Sequence, residues 1–498
     1  MKKAVLLAIG NDCPRDEWAD AVLPPLGILA VGSYLVARDV PVELIDVHMD
    51  FGFGLTAAVE QTVAQRVARY LRQQASAIAW VGISQHSNTS SGVTLAQEIH
   101  TTLPEIPIVF GGYFPSSCYR PLLEEQPCIT AIVRGDGEAA ALEISQSLNR
   151  GCSFLSEQTP NLVWRDEGSI RTNPIQPIPL GDLPVSDVRL LHNPSCYRVL
   201  SIITSRGCPF HCNYCLENGM RPYAVYSLDW VTQQLENMKT KTSAKHTVVH
   251  DPIFGVDRKR TLELCRILGE YDFMYGIQSR VDVLTPDVIP ALSQAGIESV
   301  YFGMESANPE TLLRMGKVRS VSEAERYIQS ALEVFKACFE NGLAPFLGMM
   351  VAFPGDSEAD HQATVAFVRK VQQLRNQIAA QTGVNTPFVP YGWHTHVYDG
   401  SPLAERMSED FPETVLYSEP YIGERTVLSP SPGIELEQIR RYQEEIDSLA
   451  DQTLEVYNLL ERYWGFSRRE FAEAHPELTD DQGVTVLCES VKPGLTAR

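Results

Sequence analysis

The amino-acid sequence predicts an α/β protein with two successive parallel sheets and a C-terminal, mostly helical extension. Short runs rich in Val and Ile alternate with helical periodicity up to about residue 150, and the same alternation resumes at Val199. Apolar strands that alternate with helices form parallel sheets with helices on both faces. A proline-rich stretch separates the two series. These shifts divide the chain into residues 1–150, 151–196, 197–400 and 401–498.

The first series predicts a five-stranded, doubly wound, flavodoxin-like (Rossmann-type) parallel sheet. We expect its strands at residues 3–9, 42–47, 78–84, 106–110 and 130–134, and its helices at 26–38, 56–74, 91–102 and 138–149. Such sheets bind ligands at the carboxyl ends of their strands, near the topological switch point. Glycines there let a bulky ligand approach the backbone, and Ser, Thr and Asn side chains offer uncharged hydrogen bonds. Any one of these loops alone would also fit an ordinary polar loop.

The stretch 151–196 is predicted to be a linker packed between domains. Its six prolines leave little sustained periodicity, apart from a hairpin around residues 162–171. The second series then predicts strands at 200–204, 247–250, 274–279, 299–304, 346–353 and 388–397, with helices at 228–238, 258–269, 286–295, 322–341 and 358–376. Six βα units predict a partial (β/α)6 barrel with its active site at the carboxyl ends of the strands.

Three cysteines follow the first strand of this barrel. Cys208, Cys212 and Cys215 have the spacing C-x3-C-x2-C, and Tyr214 directly precedes the third. Three thiolates can hold three irons of a [4Fe-4S] cluster and leave the fourth iron open, whereas a cluster that only carries electrons usually has four cysteine ligands. The alternatives are a zinc site, for which His211 would have to be the fourth ligand, and a disulfide.

These residues resemble the signature of the radical S-adenosyl-L-methionine (SAM) enzymes. The resemblance implies that the open iron of the [4Fe-4S] cluster chelates SAM, and that an electron from the cluster cleaves SAM to a 5'-deoxyadenosyl radical. Gly-Ile-Gln-Ser-Arg and Phe-Gly-Met-Glu-Ser match strand patterns of that family. The family's Gly-Gly-Glu is replaced here by His250-Asp251-Pro252, where we expect Asp251 to substitute and His250 to be structural. The SAM-binding residues implied by the resemblance are Phe210, Tyr214, Asp251, Gln278, Arg280 and Glu305.

The N-terminal domain resembles the cobalamin-binding domain of one large class of radical SAM enzymes. The resemblance lies in Pro24-Pro25-Leu26-Gly27 and in a Gly-Gly loop followed by Arg-Gly-Asp-Gly-Glu. It implies the cobalamin-binding residues Ser84, Gln85, His86, Asn88, Gly111, Gly112, Tyr113, Gly135, Gly137 and Glu138. His86 is a candidate cobalt ligand, a hydrogen-bond donor or simply a loop residue. The segment 46–52 is near the Asp-x-His-x-x-Gly pattern of other cobalamin proteins, but its glycine is one place late, so we discount it.

The last predicted strand carries candidate substrate contacts. Tyr391 and Trp393 alternate with His394 and His396, and a His-x-His pair can also bind a metal, although no third ligand is adjacent. Apolar residues at helical spacing then predict an amphipathic helix over residues 434–464 that packs onto the barrel or a partner subunit.

Composition limits the location and the partners. The net charge of −21 and the absence of clustered Lys and Arg argue against general nucleic-acid binding, and no apolar run reaches the roughly 20 residues of a membrane span. The N-terminal apolar run is too short for a signal peptide. Eleven cysteines, an odd number, fit a reducing cytoplasm.

Together these features lead to the hypothesis of a cytoplasmic, cobalamin-dependent radical SAM methyltransferase. By resemblance, methylcobalamin and the 5'-deoxyadenosyl radical would methylate an unactivated carbon of a small metabolite or peptide, with flavodoxin or ferredoxin as external electron donor. Two alternatives remain: rearrangement, ring contraction or cyclisation without methyl transfer, in which case the N-terminal domain could also be an empty relic, and an iron-sulfur electron-transfer or binding module.

Overall fold

The structure is a computed structural model of the 498-residue chain. It describes residues 1–9, 18–19, 23–54, 56–86, 90–241, 244–418, 424–451, 466–467 and 476–485. The predictions for Asn88 and for the helix beyond residue 451 lie outside these ranges. Within them, no helix is both long enough and apolar enough to cross a membrane.

The N-terminal half forms one twisted sheet with helices on both faces. Its strands are β1 (Lys3–Ile9), β2 (Trp18–Ala19), β3 (Val42–Asp46), β4 (Ile78–Gln85), β5 (Ile108–Gly111), β6 (Ala131–Val133), β7 (Leu162–Asp166) and β8 (Ser169–Thr172). Its helices are α1 (Leu26–Val36), α2 (Val47–Phe51), α3 (Ala57–Arg72), α4 (Ser90–Thr102), α5 (Tyr113–Ser117), α6 (Tyr119–Glu125) and α7 (Glu138–Asn149). All but β2 pair in the order β3-β1-β4-β5-β6-β7-β8.

The parallel part of this sheet confirms the predicted doubly wound topology. β1 pairs in parallel with both β3 and β4, so the strand order reverses direction at β1, which is the switch point of a flavodoxin-like sheet. The hairpin β7–β8 adds two antiparallel strands beyond β6, although the sequence analysis placed these residues in the linker. Leu162, Val163 and Trp164 are buried, because β7 covers the apolar edge that β6 would otherwise expose.

The central domain is a six-stranded parallel sheet. Its elements are β9 (Val199–Ile202), β10 (Ser205–Arg206), β11 (Ala224–Val225), α8 (Leu228–Lys241), β12 (His246–Val249), α9 (Arg258–Leu268), β13 (Met274–Ser279), α10 (Ile289–Gln294), β14 (Ile297–Glu305), α11 (Pro309–Arg314), α12 (Val321–Glu340), β15 (Ala344–Val351), α13 (Glu358–Thr382) and β16 (Val389–His394). The order β16-β15-β14-β13-β12-β9 leaves β9 and β16 as unjoined edges in the described structure, which confirms the partial barrel.

Side chains alternate between the two faces of this sheet. Leu200, Phe302 and Leu347 belong to the large core that includes helix residues such as Leu268 and Phe335. Neighbouring positions form a separate apolar cluster on the concave face, made of Val199, Val248, Ala344, Phe346 and Val389, with Tyr301 packed against it. The period of two along each strand separates the helix-facing layer from the interior of the barrel.

The C-terminal extension contains more strand than the sequence predicted. It comprises β17 (His396–Tyr398), α14 (Pro402–Asp410), β18 (Val415–Ser418), β19 (Glu424–Ser429), α15 (Leu436–Asp447) and β20 (Phe466–Ser467). β17, β19 and β18 form an antiparallel sheet, and β20 pairs with β2. The predicted amphipathic helix over residues 434–464 is present only in part, as α15, whose Ile439, Tyr442 and Ile446 are buried. The helix ends at Asp447, and residues 448–451 are not helical. β18 and β19 were missed because they are only four and six residues long, and strands this short carry little apolar periodicity.

Candidate active site

A cavity of about 1070 Å³ lies between the carboxyl ends of the two parallel sheets. Loops after β4, β5 and β6 line it from one side, and the cysteine loop with the ends of β9, β12 and β13 lines it from the other. Every described residue that the sequence analysis assigned to cobalamin lies on its wall: Ser84, Gln85, His86, Gly111, Gly112, Tyr113, Gly135, Gly137 and Glu138. Tyr214, Cys215 and Gln278 line the same cavity. The cavity therefore joins the predicted cobalamin site to part of the predicted cluster and SAM site. The remaining predicted residues of the cluster and SAM site do not line it: Cys208, Phe210, Cys212, Asp251, Arg280 and Glu305.

The cysteine loop emerges from a short antiparallel pair, β10 with β11. Gly207 has φ +76°, and a Cβ at this position would lie 2.7 Å from the carbonyl oxygen of Pro222, so only glycine fits the turn. Cys212 is buried, Cys208 and Cys215 are half-buried, and all three are free thiols. The disulfide alternative is therefore not supported. Burial raises the pKa of Cys208, and it raises the pKa of Cys215 to about 12.

The three thiols suit a cluster better than a single ion. No group of three His, Cys, Asp or Glu side chains in the described ranges is arranged to hold one metal ion. A [4Fe-4S] cluster needs a wider arrangement, because each of its cysteines bonds a different iron. Binding would also offset the raised thiol pKa values, since a coordinating thiol is deprotonated by the metal. The His211 imidazole lies near Asn218, with 3.3 Å between Nδ1 and Oδ1.

Arg280 contacts the cysteine loop directly. Its Nη1 donates to Cys212 Sγ at 3.6 Å, and its guanidinium stacks 3.9 Å from the centre of the Phe210 ring. Asp282 Oδ1 accepts a hydrogen bond from Arg280 Nε at 2.8 Å. Burial lowers the pKa of Arg280, but the ion pair with Asp282 outweighs burial and raises this pKa. The sequence analysis assigned Arg280 to SAM. Here the guanidinium supports a thiol that would ligate iron, and its contact with SAM stays a prediction.

Asp251 is turned toward the base of the cysteine loop. Its Oδ1 accepts from the backbone nitrogens of Thr204 at 2.5 Å and Ser205 at 3.0 Å, and its Oδ2 accepts from the Thr204 hydroxyl at 2.5 Å. Burial raises the pKa of this carboxyl group. Gln278 Nε2 donates to the Asp251 carbonyl at 2.8 Å. These bonds occupy the carboxylate, so Asp251 shapes the loop, and a role in gripping SAM stays a prediction.

Glu305 ends β14 in a strained conformation. Its φ of +68° is rare for a residue with a side chain, and such strain is common at functional sites. The Glu305 carboxylate folds back beside Gly303, and a Cβ added at Gly303 would lie 2.5 Å from Glu305 Oε1. The same carboxylate oxygen lies 3.6 Å from Lys317 Nζ. Lys317 also donates to the Tyr214 hydroxyl at 3.4 Å. A charged pair thus connects the end of β14 with the cysteine loop.

The N-terminal wall of the cavity depends on glycine. Gly112 has φ +102°, and a Cβ there would lie 2.3 Å from the carbonyl oxygen of Gln85. At Gly111 a Cβ would find its nearest atom only at 3.7 Å, so this face is open toward the cavity. His86 meets the Tyr113 ring edge-on, with 5.1 Å between ring centres, and its side chain is exposed toward the cavity. Open backbone beside an accessible imidazole fits a large, flat cofactor such as cobalamin.

The discounted pattern at residues 46–52 has a structural role. Asp46 caps α2 by accepting from the Met49 nitrogen at 3.2 Å, and it accepts from the Tyr197 hydroxyl at 2.8 Å. Burial raises the pKa of Asp46 to about 6. His48, the histidine of that pattern, is buried and packs edge-on near Phe53. Asp46 and His48 both reach the cavity wall.

Sequence reasoning missed three residues that join the two halves of the site. Arg206 and Arg221 form ion pairs with Asp136 of the loop after β6, and Arg206 also pairs with Glu138. Glu217 accepts a hydrogen bond from the Tyr113 hydroxyl. The available signal was complementary charge: two acids in Arg-Gly-Asp-Gly-Glu and two arginines around the cysteine motif. Only the fold shows that they meet.

The predicted substrate residues on β16 and β17 separate into two groups. Trp393 is 42% exposed, and its Nε1 donates to the Tyr301 hydroxyl at 2.9 Å, while Tyr391 packs against it with 4.5 Å between ring centres. The two histidines are instead engaged with β19: His394 Nε2 lies 2.5 Å from the Val427 carbonyl oxygen, and His396 Nδ1 lies 3.4 Å from Thr426 Oγ1.

Comparisons with known proteins agree with this architecture. Residues 202–368 match the family model of the radical SAM superfamily, and residues 19–145 match that of the B12 binding domain. An uncharacterized methyltransferase of Pyrococcus horikoshii is 27% identical over 363 residues, which are 70% of this chain and 73% of that protein. The anaerobic magnesium-protoporphyrin IX monomethyl ester cyclase of Synechocystis is 29% identical over 62% of this chain and 61% of the cyclase.

A solved structure shows the same fold. The radical SAM methyltransferase TsrM of Kitasatospora setae, with cobalamin and a [4Fe-4S] cluster bound, superposes with a TM-score of 0.65 over 91% of this chain and 90% of that chain, at 16% sequence identity.

Proposed function

We propose that this chain, which belongs to the radical SAM superfamily and carries a B12-binding domain ahead of its catalytic sheet, is a cobalamin-dependent methyltransferase. The observation that carries the proposal is the shared cavity. Tyr214 and Cys215 of the cysteine loop face the same space as His86 and the Gly111-Gly112 pair. Its volume of about 1070 Å³ is at the upper end of ordinary ligand pockets, as a site for large cofactors requires.

The cofactors supply the difficult chemistry, because a SAM-bound [4Fe-4S] cluster initiates radicals and cobalamin carries methyl groups. Cys208, Cys212 and Cys215 would hold the cluster. Arg280 would stabilise the Cys212 thiolate, because a charged donor strengthens such a hydrogen bond. The glycines after β5 and β6 would let the corrin ring approach the backbone.

The concave face of the barrel would hold the substrate. Tyr301, Tyr391 and Trp393 form an aromatic surface there, next to the apolar side chains of Val389 and Phe346. Stacking and apolar contact favour an uncharged, largely hydrophobic carbon skeleton at the reacting position. We propose that such a small molecule, or the corresponding part of a peptide, is methylated at an unactivated carbon.

Anaerobic incubation of the cluster-reconstituted, full-length protein with SAM, a reductant and hydroxocobalamin tests the proposal. We expect 5'-deoxyadenosine together with S-adenosylhomocysteine, since methyl transfer consumes a second SAM. Formation of neither product by protein that holds a full cluster and binds SAM would contradict the enzyme assignment and favour an iron-sulfur binding module.

A second function is favoured by the similarity to the cyclase of Synechocystis. A radical enzyme that closes or rearranges a ring without methyl transfer would form 5'-deoxyadenosine but no S-adenosylhomocysteine in the same incubation. The two products therefore separate the two functions without knowledge of the substrate.

The working environment of the enzyme is also a proposal. A cluster with an open iron is sensitive to oxygen, and the free cysteines of the described chain fit a reducing compartment such as the cytoplasm. Reduction of the cluster requires an external one-electron donor of the flavodoxin or ferredoxin type. Cleavage of SAM by the purified enzyme with each reduced donor, compared with dithionite, tests this assignment.

A further inference from the structure

The cysteine loop is held to the N-terminal domain on both sides. Arg206 stands two residues before Cys208, and Glu217 stands two residues after Cys215. Both contact loops that line the N-terminal wall of the cavity. Between β10 and β11, residues 207–223 contain neither helix nor strand, so regular backbone pairing does not fix this stretch.

The contact before the cysteines is a buried ion-pair network. Arg206 donates from Nη1 to Asp136 Oδ1 at 3.0 Å and from Nη2 to Glu138 Oε1 at 2.8 Å. Arg221 donates to both oxygens of Asp136, at 3.0 and 2.9 Å. All four side chains are at most 14% exposed. Such pairs depend on close geometry, because each buried charge needs its partners to offset the loss of water.

The contact after the cysteines is a single hydrogen bond. Glu217 accepts from the hydroxyl of Tyr113, the first residue of α5, and Tyr113 packs against His86. The loops after β4 and β5 are therefore supported from the cysteine-loop side.

We propose that Arg206 and Glu217 are positioning residues that couple occupancy of the cluster site to cobalamin binding. Three cysteine–iron bonds would fix the 207–223 stretch. Arg206, which ends β10 directly before this stretch, and Glu217 within it contact the loops after β4, β5 and β6. Loss of the cluster releases the stretch, and the cobalamin site loses its support. Coupling between two sites is reciprocal, so bound cobalamin also stabilises the cluster.

The experiment measures the dissociation constant of hydroxocobalamin for the full-length chain before and after cluster reconstitution. The ratio of the cluster-free to the cluster-loaded constant reports the coupling. We expect a ratio of about five or more in the wild type, the lower end of usual coupling between sites. In Glu217→Leu and in Arg206→Lys we expect the ratio to fall at least about twofold, toward one. Glu217→Leu removes the acceptor of the Tyr113 hydroxyl, and the single ammonium group in Arg206→Lys cannot reproduce the forked pairing with Asp136 and Glu138.

The ratio separates coupling from direct contact. A residue that only touches cobalamin weakens both constants equally and leaves the ratio unchanged. Arg375→Ala is the matched control, since Arg375 forms a similarly buried ion pair with Asp451 at 2.7 Å, in α13 and remote from the cavity. Its ratio should equal that of the wild type. As a reciprocal readout, hydroxocobalamin should slow iron loss to a chelator in the wild type and less so in Glu217→Leu.

A wild-type ratio near one, or a ratio that both variants leave unchanged, would overturn the inference. If Arg206→Lys does not fold, Glu217→Leu still decides, because leucine is close to glutamate in size and leaves no buried charge without a partner. The inference rests on the two cofactors of the proposed function, but not on methyl transfer. Failure to bind either cofactor defeats the proposed function itself, whereas binding of both with a ratio of one defeats only the coupling.

Discussion

His192 connects the linker to the N-terminal sheet, and we predict how much its replacement changes the free energy of unfolding. The imidazole lies between two carboxylates, with Nε2 3.3 Å from Glu43 Oε1 and Nδ1 3.3 Å from Asp50 Oδ2. Contacts with Asp50 and then Glu43 outweigh burial and raise the pKa of His192 from 6.5 to about 9. His192→Gln keeps a polar side chain of similar length and removes the charge.

The size and sign of the effect follow from linkage. One pKa unit corresponds to about 1.4 kcal/mol, so a rise from 6.5 to about 9 stabilises the folded state by about 3 kcal/mol. Because the folded pKa is the higher one, this stabilisation is complete below about pH 6.5. It is lost as the pH rises through about 9, where the folded state also releases the proton.

Urea unfolding of the wild type and His192→Gln at pH 6 and pH 10 tests this reasoning. We expect the wild type to be more stable by about 3 kcal/mol at pH 6 and by less than about 1 kcal/mol at pH 10. His246→Gln is the control, because His246 faces one carboxylate, that of Glu298, at 3.7 Å. An equal difference between wild type and His192→Gln at both pH values would refute the ion-pair account.

Three further predictions concern the cavity. Single replacement of Cys208, Cys212 or Cys215 by Ala should abolish cluster binding and SAM cleavage while circular dichroism stays unchanged; full iron content in all three variants would contradict the assignment. Arg280→Lys keeps the charge but loses the planar guanidinium that donates to both Asp282 and Cys212 Sγ. We therefore expect SAM cleavage to slow about tenfold or more at unchanged iron content. Unchanged cleavage would show that the contact is dispensable. Gly112→Ala places a Cβ 2.3 Å from the Gln85 carbonyl oxygen at φ +102°, so we expect it to lower the free energy of unfolding by about 1–3 kcal/mol and to weaken hydroxocobalamin binding. Gly111→Ala is the control for stability, because the nearest atom to its Cβ would be 3.7 Å away. Equal thermal midpoints for the two variants would contradict this prediction.

Much of the fold could be predicted from the sequence. The helices beginning at Leu26 and Glu138 and the strand beginning at Met274 have the expected starts, since strong apolar periodicity sets such elements locally. The strands β7 and β8 were expected as a hairpin, but their place in the N-terminal sheet was not. Pairing between β6 and β7 joins residues about 30 apart, and no local pattern records such a partner.

The candidate site was predicted in its parts, but its connections were not. The spacing of Cys208, Cys212 and Cys215 pointed to a cluster because one short loop must place all three thiols, so the constraint lies within the local sequence. The Gly-Gly and Gly-Asp-Gly-Glu loops pointed to the N-terminal ligand site for the same reason. Asp251 and Arg280 were predicted as SAM-binding residues, and that role stays a prediction. Their hydrogen bonds to Thr204 and Cys212 depend on which strands are neighbours.

The sequence by itself determined the two sheets, the cysteine loop and the glycine loops, because each is specified by residues close together in the chain. Only the tertiary structure decided that Arg206 meets Asp136 and Glu138, and that Glu217 meets Tyr113. Those partners are about 70 to 100 residues apart in the chain. From the sequence alone, several other charged residues could have been chosen as the partner of each. The packing of one sheet against the other selects the pairs that are buried, and burial makes them specific.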